Sequence, residues 1–201
     1  MFAGLLLTSG IAYFVSNNPR IIDTVGDFWF LIFFGQLGLA IGIQGLIRRI
    51  NATVALGLFF VFAATMGFTV GVIVSFYTVP SVITSFFSAG AMFGAAAIYG
   101  YTTKRSLTGL GGFLFMGVIG LIVASIVNVF LGSDTIGWVI ALIGVIIFTV
   151  LTAYDVQKMK AGDYVAMTGS VEKASVVGAL HLYINFVNIF LFLLRLFGSR
   201  D

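Results

Sequence analysis

The sequence predicts an all-α integral membrane protein, a bundle of about seven transmembrane helices. Three observations predict it. The chain is 60% hydrophobic and 8% charged, where a soluble domain carries roughly 25% charged residues. Its mean hydropathy is +1.16. Its apolar residues fall in runs of spanning length, and the charges sit in the short breaks between them. The 201 residues leave room for a single domain, 1–201, and for no separate soluble module. Cysteine is absent and histidine occurs once, which excludes disulfides, thiolate chemistry and His-rich metal centres. The formal charge of +3 comes from Lys and Arg at the ends of apolar runs. These residues mark topology, so they imply a lipid bilayer as partner and no nucleic acid.

The runs lie at approximately 1–16, 28–47, 52–76, 80–101, 109–131, 135–157 and 174–197. The first is slightly short, but it lacks the basic n-region of a secretory signal and reads as a genuine span. The second ends at Arg48 and Arg49. Pro19 and Pro80, the two prolines, lie where a helix should begin or end, so they punctuate the chain without kinking a span. The fourth and fifth runs carry Gly90, Gly94, Gly100, Gly109, Gly111, Gly112, Gly117 and Gly120. Small residues of this kind let helix backbones pack closely in lipid.

Basic residues in short loops set orientation. Arg48 and Arg49 follow the second run, Lys104 and Arg105 the fourth, and Lys158, Lys160 and Lys173 surround the break after the sixth. The alternate breaks hold Arg20 with Asp23, Asp27 and Asp134. The expected topology is therefore a multi-pass protein with its amino terminus in the cytoplasm and its carboxyl terminus, Arg200 and Asp201, outside.

An ionisable group at bilayer depth costs roughly 2.5–3.5 kcal/mol on insertion scales, so each needs a partner or a purpose. Asp155 stands near the end of the sixth run. The seventh carries His181, Asn185, Asn188 and Arg195, which fall in one narrow sector at about 100° per residue. A polar stripe of this kind should face protein, with Asp155 as its partner. Three residues before Lys158, Asp155 also has a plainer reading as an interfacial carboxylate. His181 reads either as a hydrogen-bonded packing residue or as the side chain that titrates nearest neutral pH. Neither HExxH nor GxSxG occurs, and one His beside one carboxylate makes no catalytic constellation, so no enzyme activity is expected.

The stretch Phe148-Thr149-Val150-Leu151-Thr152-Ala153-Tyr154-Asp155-Val156-Gln157-Lys158, with Gly178-Ala179-Leu180-His181-Leu182-Tyr183-Ile184-Asn185-Phe186-Val187-Asn188-Ile189-Phe190-Leu191 and the ending Leu193-Leu194-Arg195-Leu196-Phe197-Gly198, resembles the transmembrane Bax inhibitor motif family, especially its bacterial members. The resemblance implies a seven-helix fold with the last helix central, in the bacterial plasma (inner) membrane. It implies a pH-modulated calcium leak, in which paired aspartates on the last two helices sense protons and an arginine of the second helix latches onto them. Asp155 matches the first aspartate, and Arg49 is the candidate latch.

The second aspartate is replaced by Asn185. Two carboxylates a hydrogen bond apart share a proton because both cannot ionise, and an Asp–Asn pair cannot do so. Asp155 and Asn185 remain weak calcium candidates, since Ca²⁺ takes six to eight oxygens and tight sites use several carboxylates. The expectation is an ion path through Asp155, Asn185, Asn188 and His181. It needs no cofactor, and calcium is the permeant ion. The alternative is a non-transporting protein that modulates a membrane protease or another membrane complex.

Overall fold

The structure, a computed structural model, describes residues 1–199, apart from the side chains of residues 25, 27 and 29. The expected outward placement of Arg200 and Asp201, and the part of Asp27 in an acidic outer loop, lie outside the described residues. Among those residues the chain is helical throughout, with no β-strand. The helices are α1 (Phe2–Ser16), α2 (Pro19–Asp27), α3 (Trp29–Leu46), α4 (Ala52–Val74), α5 (Val79–Thr102), α6 (Gly111–Leu131, preceded by a 3₁₀ turn at Thr108–Leu110), α7 (Asp134–Ala161), α8 (Asp163–Thr168) and α9 (Val171–Phe197). Helices α4, α5, α6 with its 3₁₀ turn, α7 and α9 are long and apolar enough to cross a membrane, while α1 and α3 are shorter apolar helices. The chain is thus an all-α membrane protein. Its last helix is the most enclosed of the five long ones, with 61% of its most apolar window buried against 11–50% for the others.

Two helices fall in stretches that carry no apolar run. Pro19 occupies the first turn of α2, where its missing N–H is not needed and its fixed φ suits a helix. The six residues of α8 lie between Gly162 (φ 83°) and Gly169 (φ 79°). Both glycines adopt the left-handed conformation that other residues avoid, so they bracket a helix too short to show a period.

The chain forms two compact units. The first comprises residues 1–78 and 162–183, and the second residues 79–161 and 184–199, so α9 contributes to both. In the first, α1 lies against the glycine face of α4. A Cβ on Gly67 would come within 2.7 Å of the Ile11 Cβ, and one on Gly71 within 2.7 Å of the Val15 Cβ. Tyr183 of α9 is wholly buried in this unit. Its ring stands edge-on to Phe59 and Phe62 at 5.6 and 5.8 Å, and its hydroxyl shares a 2.6 Å hydrogen bond with Thr8 of α1. Thr8 is also within donor reach of the Gly4 and Ala63 carbonyls, so a polar contact inside an apolar unit has its partners.

In the second unit α7 is the common neighbour of α5 and α6. Gly100 of α5 meets the backbone of Ala153 so closely that a Cβ would overlap the carbonyl. Gly111 lies under the Tyr154 hydroxyl and Gly117 under Ile147. Gly144 lies under the ring of Phe192 from α9, and Phe86 and Phe93 of α5 stack edge-on against Phe186. By contrast Gly90, Gly94, Gly109, Gly112 and Gly120 have nothing within 4 Å of where a Cβ would stand. Only some of the glycines of the middle runs therefore serve packing inside their unit.

This division is testable. Gly100→Ala should destabilise the protein by about 1–3 kcal/mol, because backbone cannot move aside for the added methyl, whereas Gly112→Ala should be neutral or better. Thermal unfolding of the two variants in the same detergent checks it, and equal midpoints would refute the close approach.

Candidate functional site

Asp155 lies on the inner face of α7, one turn after Thr152, in the row Ala141, Val145, Phe148, Thr152, Asp155 that this helix buries at spacings of three and four. Asn185 stands on the part of α9 that belongs to the same unit. Each is 4% exposed, and the Asn185 Nδ2 donates to the Asp155 Oδ2 at 2.8 Å. A carboxylate offers only acceptors, so the carboxamide must turn its NH₂ toward it. Hydrogen bonds to a charged group are worth about 1.5–3 kcal/mol. This one ties the last two long helices together at an ionisable side chain.

The other stripe residues have different surroundings. Asn188 turns back along its own helix and donates to the Ile184 carbonyl at 2.8 Å. Arg195, near the end of α9, lies over Gly137 so tightly that no Cβ would fit there, and it is 3.9 Å from Asp134. Arg49 is exposed just past the end of α3, with its backbone N–H donating to the Leu46 carbonyl at 2.7 Å. Its neighbour Arg48 makes the inter-helix contact: its Nε donates to the Met167 carbonyl of α8 at 2.8 Å, and Lys173 Nζ reaches the Arg48 carbonyl at 3.3 Å. Among the described residues no three of His, Asp and Glu gather as a metal cluster. A cavity of about 410 Å³ in the first unit, lined by residues such as Leu56, Phe59 and Val176, contains none of the expected site residues.

His181 belongs to the first unit, on the same helix as Asn185 and one turn earlier. Its Nε2 is 2.9 Å from Gln44 Oε1 and its Nδ1 is 2.8 Å from the Tyr164 hydroxyl, while the Tyr164 ring stands edge-on at 5.4 Å. Gln44 turns its own NH₂ to the Ala40 carbonyl at 3.3 Å, which leaves its oxygen facing the imidazole. His181 Nε2 therefore donates to Gln44, and its Nδ1 shares a hydrogen bond with the buried Tyr164 hydroxyl, which can act as donor or acceptor. This network joins α3, α8 and α9. Tyr164 escaped the sequence reading, although an aromatic residue between Gly162 and Gly169 in a polar break was a signal for it.

The end of α7 is fastened by a second residue that sequence reasoning passed over. Gln157 accepts from the Leu107 N–H at 2.7 Å and donates to the Arg105 carbonyl at 2.9 Å. One turn farther on, Lys160 donates to the Tyr101 carbonyl at 2.7 Å and lies over the Tyr101 ring at 4.8 Å. These contacts hold the α5–α6 loop along the turn that follows Asp155.

His181→Phe preserves the ring contact with Tyr164 and removes both nitrogens. Each lost hydrogen bond is worth about 1 kcal/mol, so the amides of residues 163–168 should exchange with deuterium about fivefold faster or more. Unchanged exchange there would mean that the network does not hold α8.

Comparison with known proteins identifies relatives along the whole chain. The family model described as Inhibitor of apoptosis-promoting Bax1 matches residues 1–201. Inner membrane protein YbhL of Escherichia coli K12 is 41% identical over 206 residues, covering 100% of this chain and 88% of that protein. A protein of Deinococcus radiodurans is 38% identical over 202 residues, covering 100% of this chain and 87% of its own length. YrjE of Lactococcus lactis is 36% identical over 204 residues, with 98% and 86% covered. With a match along its whole length and relatives of this similarity, the chain belongs to the Bax inhibitor-like family of membrane proteins.

Proposed function

We propose that the protein is a passive cation leak, most naturally for Ca²⁺, whose gate is the contact between Asp155 and Asn185. The observation that carries this reading is the buried 2.8 Å hydrogen bond from the Asn185 carboxamide to the Asp155 carboxylate. An ionised carboxylate inside an apolar bundle is costly without partners, so each charged or polar group that reaches it matters. A cation arriving at this point can take the place of the amide N–H against the carboxylate oxygen, and the carboxamide oxygen can turn to join its shell. One carboxylate with amide oxygens and water binds Ca²⁺ weakly, which suits an ion that must leave again.

Asn188 and His181 extend the polar stripe of α9 on either side of Asn185, and we assign them to the same path. Arg49 keeps the role of latch from the family resemblance alone. The reading is non-enzymatic and uses no cofactor. It places the protein in the bacterial inner membrane, the location printed in the name of YbhL. The chain makes seven crossings, and the positive loops orient its amino terminus to the cytoplasm.

A second reading rests on the open glycines. Gly35, Gly38, Gly42 and Gly45 of α3, like Gly90 and Gly94 of α5, have nothing within 4 Å of a Cβ position. Faces of small residues are where helices of another membrane protein pack closely. In this reading the protein modulates a membrane complex such as a protease, and the Asp155–Asn185 contact only holds two helices.

Vesicles loaded with a calcium-sensitive dye separate the two. The leak reading expects flux above empty vesicles for the wild type and little for Asp155→Asn. No flux at any pH for the wild type would end it and favour the interaction reading. Asn185→Asp creates a carboxylate pair that must share a proton, and its flux should become strongly pH-dependent, falling or rising across the range in which the shared proton leaves. A flat pH profile for Asn185→Asp would show that the pair is not the gate.

A further inference from the structure

The second unit carries a positive edge. Lys104 and Arg105 are exposed on the α5–α6 loop, and Lys160 is exposed in the last turn of α7. Two contacts bring these segments together: Gln157 binds the loop backbone at Arg105 and Leu107, and Lys160 binds the Tyr101 carbonyl. The unit's own carboxylates are Asp134 and Asp155. Asp155 is buried against Asn185. Asp134 is the first residue of the 28-residue α7, about 40 Å from its last turn at 1.5 Å per residue, and it sits beside Arg195. Among the described residues, neither carboxylate of the unit is seen in an ion pair with Lys104, Arg105 or Lys160.

Beside Lys160 the surface turns aromatic, with its Nζ 4.8 Å from the Tyr101 ring, and exposed apolar side chains continue on α6 after the loop. Tyr101 is 59% exposed and Phe113, two residues into α6, is 73% exposed. Cations clamped at the rim of an exposed apolar face match a molecule that is anionic at one end and hydrocarbon at the other. We propose that this edge is a binding site for an anionic phospholipid, with its phosphate at Lys104, Arg105 and Lys160 and its acyl chains along the side of Tyr101 and Phe113. The site is independent of the ion path. A topology signal needs only charge in a loop, whereas a lipid site needs the loop itself fixed, and the Gln157 clamp fixes the backbone that carries Arg105 and its neighbour Lys104.

The test uses the purified full chain in neutral detergent, with phosphatidylglycerol and phosphatidylcholine of identical acyl chains competing for it and native mass spectrometry counting the lipid retained. Basic side chains near an anionic surface are each worth about fivefold in affinity. Wild type should prefer phosphatidylglycerol by about tenfold or more, and half-molar salt should suppress the preference by screening. Lys104→Gln with Arg105→Gln should abolish it, while Arg20→Gln, which removes a cation from the first unit, should leave it intact. Melting curves without added lipid establish that the double variant is folded. Equal retention of the two lipids, or a preference that survives in the folded double variant, would overturn the proposal. So would complete displacement of phosphatidylglycerol by glycerol 3-phosphate, which would mark a free-phosphate site, or a co-purifying protein that depends on Lys104 and Arg105 without any lipid preference.

Discussion

Helices in a bilayer gain little by hiding apolar side chains from lipid that is equally apolar, so what holds this chain together is the closeness with which its helix backbones meet. Glycine decides where that happens. Gly67 and Gly71 bring α4 onto α1 in the first unit, and Gly100 brings α5 onto the Ala153 backbone in the second. The loss of space between helices makes dispersion contacts dense. It also brings polar groups into range that would be stranded if the helices stood at ordinary separation, and Thr8, Tyr183 and Ala63 meet in this way.

The polar groups then add direction to packing that has none of its own. An apolar helix can rotate at modest cost, but a buried carboxylate or phenol can only be satisfied in one orientation. Asp155 and Asn185 set the facing of α7 and α9 within their unit, while His181 does the same for α9 against Gln44 and Tyr164 in the other. The interactions with functional potential and the interactions that orient the helices are largely the same ones. This is why a single substitution at Asn185 alters both the chemistry and the mechanical connection, and why its carboxamide can keep the helices tied without restoring a shared proton.

The chain also separates two uses of positive charge. Arg48 and Lys173 spend part of theirs on backbone carbonyls near α8, and Lys160 does so at Tyr101. These contacts place cations where helix C-termini expose unsatisfied carbonyls and a partial negative charge. Lys104 and Arg105 instead project from a loop whose backbone is held by a neutral glutamine, which leaves their charge for something outside the unit.

Composition and run length alone determined that this is a helical membrane protein, because the bilayer admits few alternatives to a continuous apolar helix and that constraint is written residue by residue. The helical sector of α9 was equally legible, since spacing on a helix is local geometry, and it singled out His181, Asn185, Asn188 and Arg195 as a stripe. The same spacing could not say what each residue meets. Tertiary structure decided that Asn185 takes Asp155, that Asn188 bonds its own helix, that Arg195 lies on Gly137, and that His181 joins a tyrosine from a six-residue helix with no period to reveal it. It also decided which glycines are packed and which are open, because a glycine carries no side chain by which its sequence could announce a neighbour. Local periodicity reports which face a residue occupies; the identity of its partner depends on residues far away in the chain and is settled only when helices come into contact.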